Sequence, residues 1–322
     1  MDYDDWGERS PRWAGIRSEV VAVQGMDVHL LRADAAPDAP PEAPTQLFVH
    51  PMGATGALWL DVLGPLRAHG PVVAPDLPGA GQTRPLRRSA ARAEGQASFL
   101  HAFTSTLGLD RVVVHGWSMG GLASVLFAAG APGRVQRLVL VSPTLPGPMS
   151  LLERLGWQTI GRLGLLLVPT LGGLLLRLPA VRRAKLTATR DARAAARFSG
   201  GDLSRMSAEM TALLDEERRA VFAQPWRRDS VAAAWTSAVT AMYVRRRPVE
   251  AAIDRVAAPT LLLWGDQDPL IDRTVIDSLI GRRPDWDLRV IHEAGHVLPM
   301  EVPDHYVEVV TSWYTAPTPT RS

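Results

Sequence analysis

The chain has 322 residues, 46% hydrophobic and 21% charged, with 35 Lys and Arg against 33 Asp and Glu. That balance excludes disorder over most of the length, and a net charge of +2 is too small to argue for a nucleic-acid partner. There is no cysteine, which excludes disulfides and thiolate metal sites.

The N-terminus, "MDYDDWGERS", is acidic and lacks the basic and apolar regions of a signal peptide. "EVVAVQG" and "MDVHLLRA", joined at Gln24-Gly25, predict an antiparallel hairpin. "DAAPDAPPEAP" (34–44) reads as a surface excursion, because so many prolines forbid a ladder or a helix. The pattern then alternates. "QLFVHP" predicts a strand, "TGALWLDVLGPLRAHG" a helix closed by glycine, "PVVAPDL" a strand and "RRSAARAEGQASFLHAFTSTLG" a helix. "RVVVHGW" predicts a strand, "MGGLASVLFAAG" a helix stopped by Gly130 and Pro132, and "VQRLVLVSP" a strand. Apolar strands alternating with helices predict a mostly parallel central sheet covered on both faces.

After Ser142 the rhythm changes, and residues 146–250 read as helices and loops without a clear strand. Strands resume at "PTLLLWGDQDP" (259–269) and "WDLRVI" (286–291), separated by a helix and followed by a last helix containing "DHYVEVVTSWY". The expected organisation is an α/β core, 1–145 and 251–322, with a helical insertion at 146–250. The most apolar run, "LGLLLVPTLGGLLLRLPAV" (163–181), is broken by Pro169, Gly172, Gly173 and Arg177, and its pieces are too short for a membrane span. The expectation is a soluble, cytoplasmic protein without stable membrane insertion.

The strongest local signal is "VVVHGWSMGG", where Gly116-Trp117-Ser118-Met119-Gly120 follows an apolar strand and precedes a helix. A tight strand-to-helix turn pushes the Ser118 hydroxyl out at the sheet's C-terminal edge, and the small residues at 116 and 120 relieve crowding. A serine hydroxyl is a weak nucleophile until a base takes its proton, so a carboxylate and a histidine are expected downstream. Asp266 and Asp268 compete for the acid after "PTLLLWG"; Asp268 lies further into the loop and is favoured, with Asp266 assigned to the turn. The other acid position, after "RLVLVS", offers Ser142 and no carboxylate. His296 follows the last strand as the base. An oxyanion needs two backbone N–H donors. Met119 follows the nucleophile, and Met52 is the second, because Pro51 has no N–H to give. His50 and His115 are read as structural.

Five motifs, "FVHPMGATG", "APDLPGAGQT", "VVVHGWSMGG", "LLLWGDQDPL" and "HEAGHVLPMEVPD", occur in this order. Together they resemble the α/β-hydrolase superfamily, over nearly all of the chain outside the insertion and the N-terminal tail. The resemblance implies the α/β-hydrolase fold with an inserted helical cap, Ser118 as nucleophile, Asp268 as orienting acid and His296 as base. One departure is clear: the family commonly has His-Gly where this chain has His50-Pro51. The family also includes C–C bond hydrolases, lyases and a few non-catalytic receptors, so the fold alone does not fix the reaction.

A competing pattern is His292-Glu293-Ala294-Gly295-His296, which matches H-E-x-x-H. A zinc site of that kind needs both histidines on one helical face. Here "WDLRVI" has the period-2 pattern of a strand, and Gly295 and Pro299 oppose a helix. The sequence therefore predicts a cofactor-independent and metal-free serine hydrolase acting on an ester, lactone or thioester of a small, fairly apolar molecule. The runner-up is a C–C hydrolase, lyase or cyclase using the same residues; a ligand-binding protein with a dormant triad is the rival from another class. Trp157, Trp226 and Trp235 in the insertion are read as packing before pocket lining.

Overall fold

A computed structural model describes residues 3–165 and 200–316. Most of the apolar run 163–181 lies outside the described residues. The first two strands, β1 (Arg17–Val23) and β2 (Met26–Ala33), form the expected hairpin. Gln24 and Gly25 make its two-residue turn with φ of 50° and 78°, as a turn matched to strand twist requires. Six more strands follow: β3 (Thr45–Val49), β4 (Val72–Pro75), β5 (Val112–Trp117), β6 (Val135–Val141), β7 (Thr260–Gly265) and β8 (Asp287–Ile291). They form one eight-stranded sheet in the order β1-β2-β4-β3-β5-β6-β7-β8. From β4 to β8 every pairing is parallel, and β2 runs antiparallel to both its neighbours.

Alternation along the central strands divides the core into two layers. Leu138, Leu140, Leu262 and Trp264 face one side, packed on α2 (Ala93–Thr106), α3 (Met119–Gly130), α7 (Arg246–Arg255) and α8 (Arg273–Arg282). Val139, Val141, Leu261 and Leu263 face the other, packed on α1 (Leu60–Leu66) and α10 (Pro303–Thr315). Every residue of β5 and β7 is buried, which explains why these strands read as continuous apolar runs rather than as half-polar ones.

The expected helix over 55–70 is divided. A 3-10 turn (Gly56–Trp59) leads into α1, and a second (Arg67–His69) closes it at Gly70, whose φ is 125°. Before the hairpin, Trp6 and Trp13 are almost wholly buried, and the Trp13 indole N–H donates to Asp61 Oδ1 at 2.7 Å. Trp6, Trp13 and Ile16 are thus part of the core.

Between β6 and β7 the described residues contain helices and no strand. They include α4 (Leu151–Gly156), continuing as a wider π turn (Trp157–Gly161), then α5 (Ala208–Ala223) and α6 (Pro225–Val239), ahead of α7. A short α9 (Leu298–Glu301) precedes α10. The expected boundary at residue 250 falls inside α7, which packs on the core through Val249, Ala252 and Ile253. Among the described residues no helix is long and apolar enough to cross a membrane.

His115, in the middle of β5, is fully buried. Its ring nitrogens meet Tyr306 Oη at 2.7 Å, and Gln46 Oε1 and Tyr314 Oη at 3.2 and 2.9 Å. The expectation of a structural role fits this position. Burial pushes its pKa down to about 3, so it stays neutral when folded. The unfolded chain binds a proton at this histidine below about pH 6.5. Stability from this residue is therefore complete above that pH and is lost as pH falls toward 3, at most about 1.4 kcal/mol per pH unit. Denaturant titrations of His115→Gln between pH 6.5 and 4 are expected to give a shallower loss than wild type; an equal slope would contradict the assignment.

Candidate active site

Ser118 lies in the single-residue turn between β5 and α3, with φ 54° and ψ −117°. For a residue with a Cβ, that conformation costs on the order of 1–3 kcal/mol and persists only where the surroundings over-determine it. Here they do. The Ser118 N–H donates to Val141 O at 2.9 Å, extending the β5–β6 ladder. Its carbonyl accepts from the N–H groups of Gly121, Leu122 and Thr144. The flanking glycines permit the close approach. A Cβ on Gly116 would lie 2.5 Å from Ser124 Oγ, and one on Gly120 2.3 Å from Val49 O. The side chain of Ser118 is half-buried, and its hydroxyl meets Thr144 Oγ1 at 3.3 Å.

Asp268 and His296 are brought together by the loops that follow β7 and β8. The Asp268 side chain is fully buried, and its Oδ1 accepts from Leu270 N at 2.8 Å and Ile271 N at 3.0 Å. With that oxygen fixed, Oδ2 faces His296 Nδ1 at 2.8 Å. A carboxylate there accepts from Nδ1–H and leaves Nε2 with its lone pair, the tautomer a general base needs. The histidine backbone is held at both ends: His296 N donates to Gly200 O at 2.6 Å, and His296 O accepts from Trp117 Nε1 at 2.9 Å. The residue before the serine therefore tethers the loop that carries the histidine. In this structure Ser118 Oγ pairs with Thr144, and among the described residues no hydrogen bond joins it to His296.

Asp266 and His292 form a second pair of the same composition. Asp266 Oδ2 meets His292 Nδ1 at 2.9 Å, and Oδ1 accepts from Glu293 N at 2.8 Å. The His292 bond holds the Asp266 carboxyl below the usual carboxylate range. The His292 side chain is 81% exposed, whereas that of His296 is 6% exposed. Glu293 has a φ of 55°, and residues 292–297 are turns and loop, not helix. The H-E-x-x-H residues thus send their histidines to different aspartates. Among the described residues no three His, Asp or Glu side chains converge as a metal ion requires.

The loop after β3 carries Met52. His50 Nδ1 meets Pro51 O at 2.8 Å, and Nε2 accepts from Leu77 N at 2.9 Å, so the ring fixes the turn. Burial lowers the His50 pKa, which keeps the ring neutral and able to donate at one nitrogen while accepting at the other. Asp76 anchors the same region, accepting from Gly56 N at 2.9 Å and Gln82 N at 3.0 Å. Met52 and Gly53 face Ser230, Val231 and Ala234 of α6 across a narrow crevice. Met119 opens α3, where helix amides have no intrahelical acceptor.

Of the insertion's tryptophans, Trp157 stacks on Tyr243 with ring centroids 4.6 Å apart. Trp226 lies under the Arg227 guanidinium, and Trp235 is 40% exposed. From the arginine-rich stretch 243–248, Arg246 bonds Glu250 and Gly147 O. Thr144 and Trp117 are contacts of the site that sequence reading missed. Nothing local to "VSPT" marks Thr144, and Trp117 fills one of the two unspecified positions of the serine motif.

Ser118→Gly is expected to be more stable than Ser118→Ala by about 1 kcal/mol, because glycine adopts this φ freely and only part of the gain is lost to chain entropy. Equal denaturation midpoints would show that the turn is unstrained.

Comparison with known proteins gives the family. The family model for the alpha/beta hydrolase fold matches residues 44–303. The chain is 36% identical over 140 residues to the dihydrolipoyllysine-residue acetyltransferase component of an acetoin cleaving system from Cupriavidus necator. That match covers 44% of this chain and only 35% of the relative. It is 26% identical over 279 residues to a 2-hydroxy-6-oxononadienedioate/2-hydroxy-6-oxononatrienedioate hydrolase of Dechloromonas aromatica, covering 84% of this chain and 86% of the relative. Among solved structures, a bacterial membrane phospholipase A superposes with a TM-score of 0.66 at 24% identity, covering 96% of this chain and 88% of that one. The profile match spans most of the chain, and the sheet order and strand directions agree with it: this protein belongs to the α/β-hydrolase family.

Proposed function

We propose that this protein is a serine hydrolase that cleaves an ester, lactone or thioester of a small, fairly apolar substrate through an acyl-enzyme. The observation that carries the reading is the buried Asp268–His296 pair, tied through the Trp117 indole to the strained turn that presents Ser118. In the proposed cycle the Ser118 hydroxyl leaves Thr144 for His296 Nε2, a contact that tightens only when substrate is bound. His296 takes the proton as Oγ attacks the acyl carbonyl, and the N–H groups of Met52 and Met119 stabilise the oxyanion. His296 then protonates the leaving group. It next activates a water that releases the acyl group and regenerates the serine, while Asp268 holds the tautomer and stabilises the imidazolium. The insertion is assigned the role of a cap over this site, a reading supported by α6, whose Ser230, Val231 and Ala234 line the crevice beside Met52.

A second reading is favoured by one specific relative. The Dechloromonas protein is named for a hydroxy-oxo dicarboxylate rather than an ester, and the same residues would then serve C–C bond hydrolysis.

The test is turnover of p-nitrophenyl esters of graded chain length by the full chain. Ser118→Ala is expected to lower kcat/KM by about 10³-fold or more, and Asp268→Asn, which removes the tautomer lock, to lower kcat by about 10³–10⁴-fold. Wild-type rates no higher than those of Ser118→Ala would overturn the serine reading. Turnover of a 2-hydroxy-6-oxo dienoate faster than every ester would move the assignment to the second.

A further inference from the structure

Glu301, the last residue of α9, is nearly buried and plays no part in the cycle above. Its two carboxylate oxygens bind two separate segments. Oε2 accepts from Gly295 N at 2.6 Å, in the loop that carries His296, and Oε1 accepts from Asp202 N at 2.6 Å, in the insertion. The same two segments meet at two further points. His296 N donates to Gly200 O at 2.6 Å, and the Arg205 guanidinium donates to Glu293 O. Their backbones cross at glycine contact distance: a Cβ on Gly295 would lie 2.5 Å from Gly200 O. A Cβ on Gly201 would lie 1.9 Å from Glu301 Oε1, and one on Gly200 2.7 Å from His296 Cβ.

The residue type matters. Burial raises the pKa of Glu301, so a charged carboxylate here is costly unless its oxygens are satisfied by hydrogen bonds. Only a carboxylate offers two acceptor oxygens to two amide donors; a glutamine satisfies one and turns its NH₂ toward the other. An apolar residue would leave both N–H groups without their acceptor in a buried place.

We propose that Glu301 is a positioning residue that clasps the returning arm of the insertion, residues 200–202, to the loop bearing His296. Docking of the insertion and placement of the base are then one event. The inference rests on the serine-hydrolase reading for its catalytic consequence, but the clasp itself can be observed without turnover.

The experiment uses the full chain with Glu301→Gln, and with Glu308→Gln on the exposed face of α10 as control. The two readouts are ester kinetics and the downfield proton resonance of the His296–Asp268 hydrogen bond. With Glu301→Gln still melting cooperatively, kcat is expected to fall about 10- to 100-fold with KM within about threefold, as displacement of a catalytic group by an ångström produces. The resonance is expected to shift or broaden. In Glu308→Gln both stay as in wild type. Should Glu301→Gln fail to fold, Gly201→Ala, which keeps the carboxylate but wedges the arm away, is expected to give the same two changes. An unshifted resonance in the folded variant, or kcat within twofold of wild type, would overturn the proposal. If wild type turns over no ester faster than Ser118→Ala, the hydrolase reading fails by itself, and the resonance alone decides the clasp.

Discussion

Ser118 sits at φ 54°, a conformation that a side-chain-bearing residue adopts only where neighbours hold it. The surrounding chain is arranged around that one turn. The ladder bond to Val141 O fixes its strand side, and Gly121 and Leu122 fix its helix side. Gly120 lets the start of α3 lie against the carbonyls of Val49 and His50, so the elbow and the Met52 loop are set by the same contact. Trp117, whose own backbone is in β5, reaches the carbonyl of His296 from beneath. The ladder and helix-side bonds are made by the backbone of residue 118, so they hold the turn whichever side chain it carries.

The two Asp–His pairs after β7 and β8 have the same atoms at nearly the same separation, 2.8 and 2.9 Å. What separates them is burial. Asp268 is enclosed and its second oxygen is bound by two amides, so the carboxylate has one orientation and the imidazole one tautomer. His292 is open to water, where such a pair contributes little and serves to close the turn with Glu293. The five-residue pattern that suggests a metal thus lies wholly in the turn after β8, with its two histidines on different aspartates.

Features that depend on neighbours in sequence were legible before the structure. The hairpin at Gln24-Gly25, the buried strands and the serine turn follow from local period and turn chemistry. Its place further into the loop favours Asp268 over Asp266 in the sequence, and in the structure Asp268 meets His296 at 2.8 Å. The division of the 55–70 segment was not foreseen, because its apolar spacing suits a helix while Pro65 and the sharp bend into Gly70 shorten it. Residues whose roles depend on distant segments were also not legible. Thr144 meets Ser118 across 26 positions, Trp13 meets Asp61 across 48, and Glu301 meets Asp202 across 99. No local pattern encodes such contacts.

The central claim is that the Ser118 hydroxyl is a nucleophile made reactive by His296. The most direct measurement is peptide mass mapping after treatment with a fluorophosphonate. The account predicts one stoichiometric phosphonyl adduct on Ser118, formed rapidly in wild type and at least about 10³-fold more slowly in His296→Ala. An adduct on another residue, or labelling of Ser118 at the same rate without His296, would contradict it.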